Sequence, residues 1–392
     1  MILDKIFHLM AEKQASDIYI SPGAPIHIKI EGETIPVNQQ KMDPKSIDKI
    51  ISEAMSPEQQ RLFQNTQEMN LSIGISGLGS FRFNFFRQRS TISIVIRFIP
   101  SNIPALGTLG LPPVLANLIM EKRGLILIVG ATGSGKSTTI ASMLDYRNEN
   151  IAGHILTIED PIEFLFKHKK SVVNQRELGL DTATWDSALK NAMRQAPDCI
   201  LIGEIRDRET MQAAIAYAQT GHLCMATLHA SNSYYALNRV INFFPLETRT
   251  SLYTDLSTSL KAIISQRLVK KPDGYRIPAV EVLLNTTYIQ ELIENGNIPQ
   301  IKEAMEKSLS PGSQTFEQDL FRLYHENIIS LKEALSTADS PTNLSWLINN
   351  SKIAQSSSQQ NEQFTASMML DFDETTDAGA SFKEFSINID QS

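Results

Sequence analysis

Apolar positions change their spacing along the chain, and each change marks an element. Ile2, Leu3, Ile6, Phe7 and Met10 recur at helical spacing and open the first region. Strand-like alternation follows, with Ile26, Ile28 and Ile30 separated by His27 and Lys29, and Gly32 as a turn. A helical stretch is predicted from about Pro44 to Asn65. Phe81, Phe83 and Phe85 then form one face of a strand, and Ile92, Ile94, Ile96 and Phe98 one face of the next. This region reads as a small α+β domain over residues 1–100. Pro104, Gly107 and Gly110 give residues 101–110 the character of a linker.

From Leu111 the pattern becomes one of short apolar runs alternating with helices. The runs are Leu125–Val129, Ile155–Ile158, Cys199–Ile202 and Leu223–Ala226. Runs without polar alternation indicate strands buried on both faces, and intervening helices indicate a mostly parallel sheet. One helix carries Trp185, Leu189, Ala192, Met193 and Ala196 on one stripe. Another carries Met211, Ala214, Ile215 and Ala218 and stops at Gly221. From about Ser257 to Asn350 the chain reads helical, within a domain of residues 111–350. Residues 351–392 are Ser- and Gln-rich and then acidic, with Asp371, Asp373, Glu374, Asp377, Glu384 and Asp390 facing Lys383 alone. They read as a disordered tail.

Bulk properties narrow the class. The 392 residues hold two or three domains, and 42% hydrophobic with 20% charged residues is a globular composition. A net charge of −7 and the lack of a basic-aromatic patch argue against a nucleic-acid partner. Cys199 and Cys224 each lie in apolar stretches and read as buried thiols; two cysteines make neither a disulfide framework nor a Cys-rich zinc site. Asp4, Lys5, Glu12 and Lys13 interrupt the first apolar residues, so no signal peptide is expected. No apolar run approaches a membrane span, which predicts a cytoplasmic protein without direct membrane insertion.

The chemistry concentrates at Gly130-Ala131-Thr132-Gly133-Ser134-Gly135-Lys136-Ser137-Thr138, whose first eight residues fit G-x-x-x-x-G-K-[ST]. A buried strand precedes the motif, and Ile140, Met143 and Leu144 follow on a helix face, which is the context the motif requires. Glycines let backbone N–H groups approach phosphates, and the helix N-terminus adds partial positive charge. Lys136 is expected to reach the outer phosphates of ATP, and Ser137 to bind Mg²⁺. The core therefore reads as a P-loop NTPase.

Hydrolysis also needs carboxylates at strand ends near this loop. Two stretches supply them: Thr157-Ile158-Glu159-Asp160-Pro161-Ile162-Glu163, and Ile200-Leu201-Ile202-Gly203-Glu204-Ile205-Arg206-Asp207. The latter has the form of a Walker B strand with Glu204 where Asp is more usual. His222 and His229 bracket the run Leu223–Leu228, as packing residues or as sensors of the γ-phosphate. Arg82 and Arg97 alternate with the apolar rows of their strands, and Arg87 follows nearby. They are either solvated sheet-face arginines or groups aimed at nucleotide phosphates, which requires domain closure or a neighbouring subunit.

These motifs together resemble the type IV pilus retraction ATPases of the PilT/PilU group, within the secretion-ATPase superfamily. The resemblance spans residues 1–350. It is carried by Gly130–Ser137 as Walker A, Ile155–Glu163 as the Asp box, Gly203–Asp207 as an atypical Walker B, and Thr220–His222 through Thr227–His229 as the His box. Asn174-Gln175-Arg176-Glu177 is similar as well. The resemblance implies a RecA-like core behind a PAS-like N-terminal domain, assembled as a homo-hexamer. It implies Lys136 and Ser137 on ATP and Mg²⁺, Glu204 acting with the metal and the attacking water, and Glu163 orienting or deprotonating that water. Which of the two is the base stays open. His222 and His229 would couple the γ-phosphate to the subunit interface, and Arg82, Arg87 and Arg97 would reach bound nucleotide from the N-terminal domain. An inner-membrane platform protein is the implied partner.

Departures refine the placement. The four-cysteine zinc element and extra N-terminal domains of extension and secretion ATPases are absent. Where the main retraction motors carry A-I-R-N-L-I-R-E, this chain has Thr287-Tyr288-Ile289-Gln290-Glu291-Leu292-Ile293-Glu294. With Gly312–Leu320 and the long acidic tail, this is more similar to the PilU branch. The expected role is an accessory motor beside a PilT-like sister ATPase. A stand-alone motor, a related secretion ATPase, and a ring subunit that binds ATP for assembly are the alternatives.

Overall fold

The computed structural model describes residues 2–30, 32–75, 78–100, 102–307 and 309–350. The expected tail lies outside them. The first region begins with α1 (Ile2–Glu12), β1 (Asp17–Ile20), β2 (Pro25–Ile30) and β3 (Glu33–Lys41). Then come α2 (Pro44–Ala54), α3 (Pro57–Thr66), β4 (Glu68–Ile75), β5 (Gly79–Gln88) and β6 (Thr91–Pro100). The helical stretch expected from about Pro44 to Asn65 is two helices, because Ser56 and Gln59 form a capping box and Pro57 starts the second. The strands make one antiparallel sheet in the order β3-β2-β1-β6-β5-β4.

One face of that sheet holds this region's core. Phe81, Phe83 and Phe85 are fully buried on β5. Phe7 of α1 stacks on Phe81 with centroids 4.1 Å apart, and Phe83 stacks on Phe85 at 5.5 Å. The edge strand β3 is exposed along its whole length, Ile35 and Val37 included.

Segment 102–110 is more than a tether. It contains a 3₁₀ turn at Leu106–Thr108, and Leu106 is buried against α4 (Val114–Ile119) and its neighbours. The other sheet is assembled from β7 (Gly124–Val129), β8 (His154–Glu159), β9 (Val172–Glu177), β10 (Cys199–Ile202), β11 (Leu223–Leu228), β12 (Leu260–Lys270) and β13 (Arg276–Leu284). Its order is β13-β12-β7-β11-β10-β8-β9, parallel throughout except for β13. The helices are α5 (Lys136–Asn150), α6 (Trp185–Ala192), α7 (Arg208–Gln219), α8 (Ser233–Asn242) and α9 (Arg249–Ser259). After β13 come α10 (Thr287–Glu294), α11 (Ile298–Glu306), α12 (Phe316–His325) and α13 (Leu331–Thr337), and residues 341–350 are helical.

The α/β reading with a mostly parallel sheet and a helical C-terminal part therefore holds, with one correction. Helix does not run on from Ser257: α9 ends at Ser259, and the C-terminal helices begin only at Thr287, because 260–270 and 276–284 form an antiparallel hairpin added to the sheet beside β7. Two buried clusters cover the two faces of the sheet. One contains Leu127, Ile158 and Met211; the other contains Ile126, Met143 and Cys199. The stripe expected from Trp185 to Ala196 ends early: the helix stops at Ala192, Met193 is exposed, and Ala196 adopts a left-handed conformation.

Candidate active site

The parallel strands place their C-terminal ends together, and there the chain forms a cleft of about 480 Å³. Such crevices are where open α/β sheets bind ligands. The P-loop leaves β7 at its centre. Gly130, Gly133 and Gly135 all have positive φ. A Cβ at Gly130 would lie 2.5 Å from the Gln266 carbonyl oxygen and from Ser134 Oγ, so only glycine fits. Gly135 caps α5 without a side-chain acceptor, leaving the helix N-terminus open toward the cleft. Ser134 Oγ is buried and has no hydrogen-bond partner among the described residues. An anion-binding cradle suits this combination of open donors and excluded Cβ atoms.

Lys136 donates to the carbonyls of Gly130 and Ala131, each at 2.9 Å. Burial pulls its pKa down, while the charges of Glu163 and Glu204 oppose that shift. Both carboxylates line the cleft with Lys136, Ser137 and Thr138. Ser137 Oγ donates to Glu163 Oε1 at 2.8 Å. Glu204 follows β10; its Oε2 accepts Arg206 Nε at 2.8 Å, and its Oε1 faces His229 Nε2 at 3.3 Å. Arg206 also stands 3.5 Å from Asp160. Among the described residues no group of three or more His, Cys, Asp or Glu forms a metal cage. Ser137 and Glu204 nonetheless both line the cleft and carry hard oxygen donors of the kind that suit Mg²⁺ beside phosphate.

The remaining candidates fall elsewhere. His222 sits at the N-terminal end of β11, and six strand residues separate it from His229, a span of roughly 20 Å. Its Nδ1 lies 3.1 Å from Thr220 Oγ1 and 3.2 Å from the Tyr217 carbonyl. Arg97 Nε bonds Asp17 Oδ1 at 3.0 Å within its own sheet. Arg82 forms an ion pair with Glu177 of β9. Arg87 lines a separate polar cavity with Gln64, Gln67 and Arg89. None of the three arginines lines the nucleotide-sized cleft.

Several contributors escape the motif reading. Gln266 of β12 is buried and ties the P-loop to the first turn of α5: its Nε2 donates to the Ser134 carbonyl at 2.8 Å, and Thr139 Oγ1 donates to its Oε1 at 2.7 Å. Nothing local marks it, because its partners lie 127 and 132 positions away. Asp207, by contrast, is the N-cap of α7, with Thr210 N–H donating to Oδ1 at 2.8 Å. Burial pushes the Glu159 carboxyl up to about 7, against the hydrogen bonds it accepts.

Another cavity, of about 410 Å³, adjoins the P-loop at Gly135, Thr138 and Thr139. It is walled by Leu109, Leu268, Tyr275 and Ile277.

The chain is similar to known proteins. A family model described as type II/IV secretion system protein matches residues 1–310. The Pseudomonas aeruginosa type IV pilus ATPase PilU is 43% identical over 384 residues, which is 98% of this chain and 100% of that protein. From the same organism, the type IV pilus retraction ATPase PilT is 38% identical over 343 residues, covering 88% of this chain and 100% of its own length. Among solved structures, the pilus retraction motor PilT with bound ADP aligns with TM-score 0.80 and 40% identity over 86% of this chain and 97% of that one. The Legionella pneumophila ATPase DotB aligns with TM-score 0.72 and 27% identity over 85% and 94%.

Proposed function

The chain belongs to the type II/IV secretion system protein family, and we propose that its central cleft hydrolyses ATP to drive retraction of a type IV pilus. It is an ATPase of the PilT/PilU kind. One observation carries the site assignment: Glu163, Glu204, Lys136 and Ser137 converge on one cleft at the C-terminal edge of a parallel sheet.

In this reading the backbone of Gly130–Thr138 and the Lys136 ammonium hold the triphosphate, and the apolar cavity beside Tyr275 takes the base. Mg²⁺, held by Ser137 and Glu204, would neutralise charge on the phosphate oxygens. Glu163 holds the attacking water and accepts its proton. Arg206 and His229 keep the Glu204 carboxylate fixed. Arg82, Arg87 and Arg97 would act on nucleotide bound by a neighbouring subunit of a hexameric ring, since none reaches the cleft of its own chain.

Residues 1–100 and 111–350 are read as the moving domains, joined through 101–110; their sheets and cores share no strand. Among the described residues no helix is long and apolar enough to cross a membrane. The proposed place of action is the cytoplasmic face of the inner membrane, against a platform protein. A PilU-like accessory role beside a PilT-like sister rests on the 43% identity and on Thr287-Tyr288-Ile289-Gln290-Glu291-Leu292-Ile293-Glu294 in place of an arginine-bearing motif.

The test is phosphate release by the purified chain, alone and with its sister ATPase. Lys136→Ala is expected to abolish turnover. Turnover equal to wild type in that variant would remove the cleft from the mechanism.

A further inference from the structure

The loop that carries Glu163 has no secondary structure of its own from residue 160 to 171. Its backbone groups therefore need partners from outside. Between Ile162 and Phe166 three of them are held by two side chains, Glu177 and Gln175. Ile162 N–H donates to Glu177 Oε2 at 3.1 Å. Gln175 Nε2 donates to the Phe164 carbonyl at 2.8 Å, and Phe166 N–H donates to Gln175 Oε1 at 2.9 Å. Glu159 and Gln175 are joined to each other, Nε2 to Oε1 at 3.3 Å, and Thr157 Oγ1 donates to the same Oε1 at 2.6 Å.

We propose that Glu159 is a positioning residue for Glu163, acting with Gln175 as a clamp on the loop between β8 and β9. The inference rests on Glu163 being the water-orienting carboxylate of the proposed function. A carboxyl is suited to the place because it accepts several donors at once from one rigid strand end. Glu159 also lines the cleft, so its backbone meets the other catalytic element. A Cβ on Gly203 would lie 3.0 Å from Glu159 Cα, which sets the turn before Glu204 directly against it. The sheet edge thus holds both carboxylates in mutual register. Loss of the Glu159 carboxyl would free Gln175, loosen the Phe164 carbonyl next to Glu163 and let the Glu163 side chain drift from Ser137, and a drift of about 1 Å costs about 10²-fold in rate.

The experiment measures phosphate release and binding of a fluorescent ATP analogue by the full chain and five variants: Glu159→Ala, Glu159→Gln, Gln175→Ala, Glu163→Gln, and the Glu159→Ala/Glu163→Gln double variant. Glu159→Ala is expected to lower kcat by about 10²-fold with KM held within about threefold. Glu159→Gln keeps an acceptor oxygen and is expected to recover at least about tenfold of that loss. In the Glu163→Gln background, removing Glu159 is expected to add less than about threefold, because a residue acting through another has nothing left to position. Unchanged kcat in Glu159→Ala, a loss confined to KM, or full multiplication of the two losses overturns the proposal. Should Glu159→Ala not fold, Gln175→Ala carries the same kcat and KM expectations. Wild-type turnover in Glu163→Gln defeats the underlying assignment; impaired Glu163→Gln with intact Glu159→Ala defeats the clamp alone.

Discussion

Ser137 Oγ and Glu163 Oε1 stand 2.8 Å apart, the hydroxyl of the P-loop helix donating to the carboxylate of a loop 26 positions away. A hydroxyl that donates its proton still has lone pairs to offer a cation. In the proposed reading, one side chain therefore links the side of the cleft that would hold Mg²⁺ to the carboxylate assigned to the water.

The proposed function gives the two acids different roles. Glu163→Gln keeps the acceptor oxygen and the shape but loses the base, so kcat is expected to fall by about 10²- to 10³-fold with ATP affinity retained. Glu204→Gln removes a charged ligand, so its main effect is expected on the Mg²⁺ concentration needed for half-maximal turnover. Titrating Mg²⁺ against phosphate release checks both. A Mg²⁺ shift in Glu163→Gln with none in Glu204→Gln would exchange the assignments.

The Glu159 carboxyl gives a stability prediction with a definite sign. Burial, with a smaller push from the Glu163 charge, raises it from 4.5 to about 7; Thr157, Gln175 and the Glu163 N–H only partly offset this. The folded chain holds this proton more tightly than the unfolded one. Its contribution to stability is therefore fully present below about pH 4.5 and is lost as pH rises through about 7, a change on the order of 3 kcal/mol. Between about pH 5 and pH 8 the Tm of the wild type should fall more steeply than that of Glu159→Gln. Parallel slopes in the two proteins would refute it.

Gln266 ties the P-loop to β12. Gln266→Ala would leave the Thr139 hydroxyl and the Ser134 carbonyl without their partner in a buried place, at a cost of about 1–3 kcal/mol. ATP affinity is expected to drop with it, since the loop's shape is what the brace holds. Thermal unfolding and nucleotide binding read the two effects, and an unchanged Kd for ATP would show that the loop keeps its shape unaided.

The residues legible in the sequence are those whose function follows from local spacing. A glycine loop after an apolar run, and acids at the ends of two more runs, converge because parallel strands bring their C-terminal ends together. Leu260–Lys270 was not legible as a strand. Its apolar positions fit helical spacing nearly as well as a buried strand, and its partner is β7, more than 130 residues earlier in the chain. Arg97 shows the same limit. Alternation puts it opposite the apolar row, but Asp17, 80 positions away, decides what it binds. The edge strand β3 gives no signal because both its faces are exposed.

His222 and His229 bracket one strand in the sequence, and the fold assigns them to opposite ends of it. A residue can act on the nucleotide only from the end where β7, β10 and β11 open into the cleft, and that end belongs to His229, 3.3 Å from Glu204. His229→Ala removes one of two groups holding that carboxylate and is expected to lower kcat about tenfold. His222 stands over Tyr217 and Thr220 at the C-terminal end of α7, where its ring packs edge-on to Tyr217 with centroids 6.4 Å apart. His222→Ala is therefore expected to leave kcat of dilute protein within about twofold and to show itself in stability or in ring assembly. Steady-state kinetics beside sedimentation of both variants separates the two ends. Equal losses of kcat at matched assembly would mean that β11 transmits the state of one end to the other.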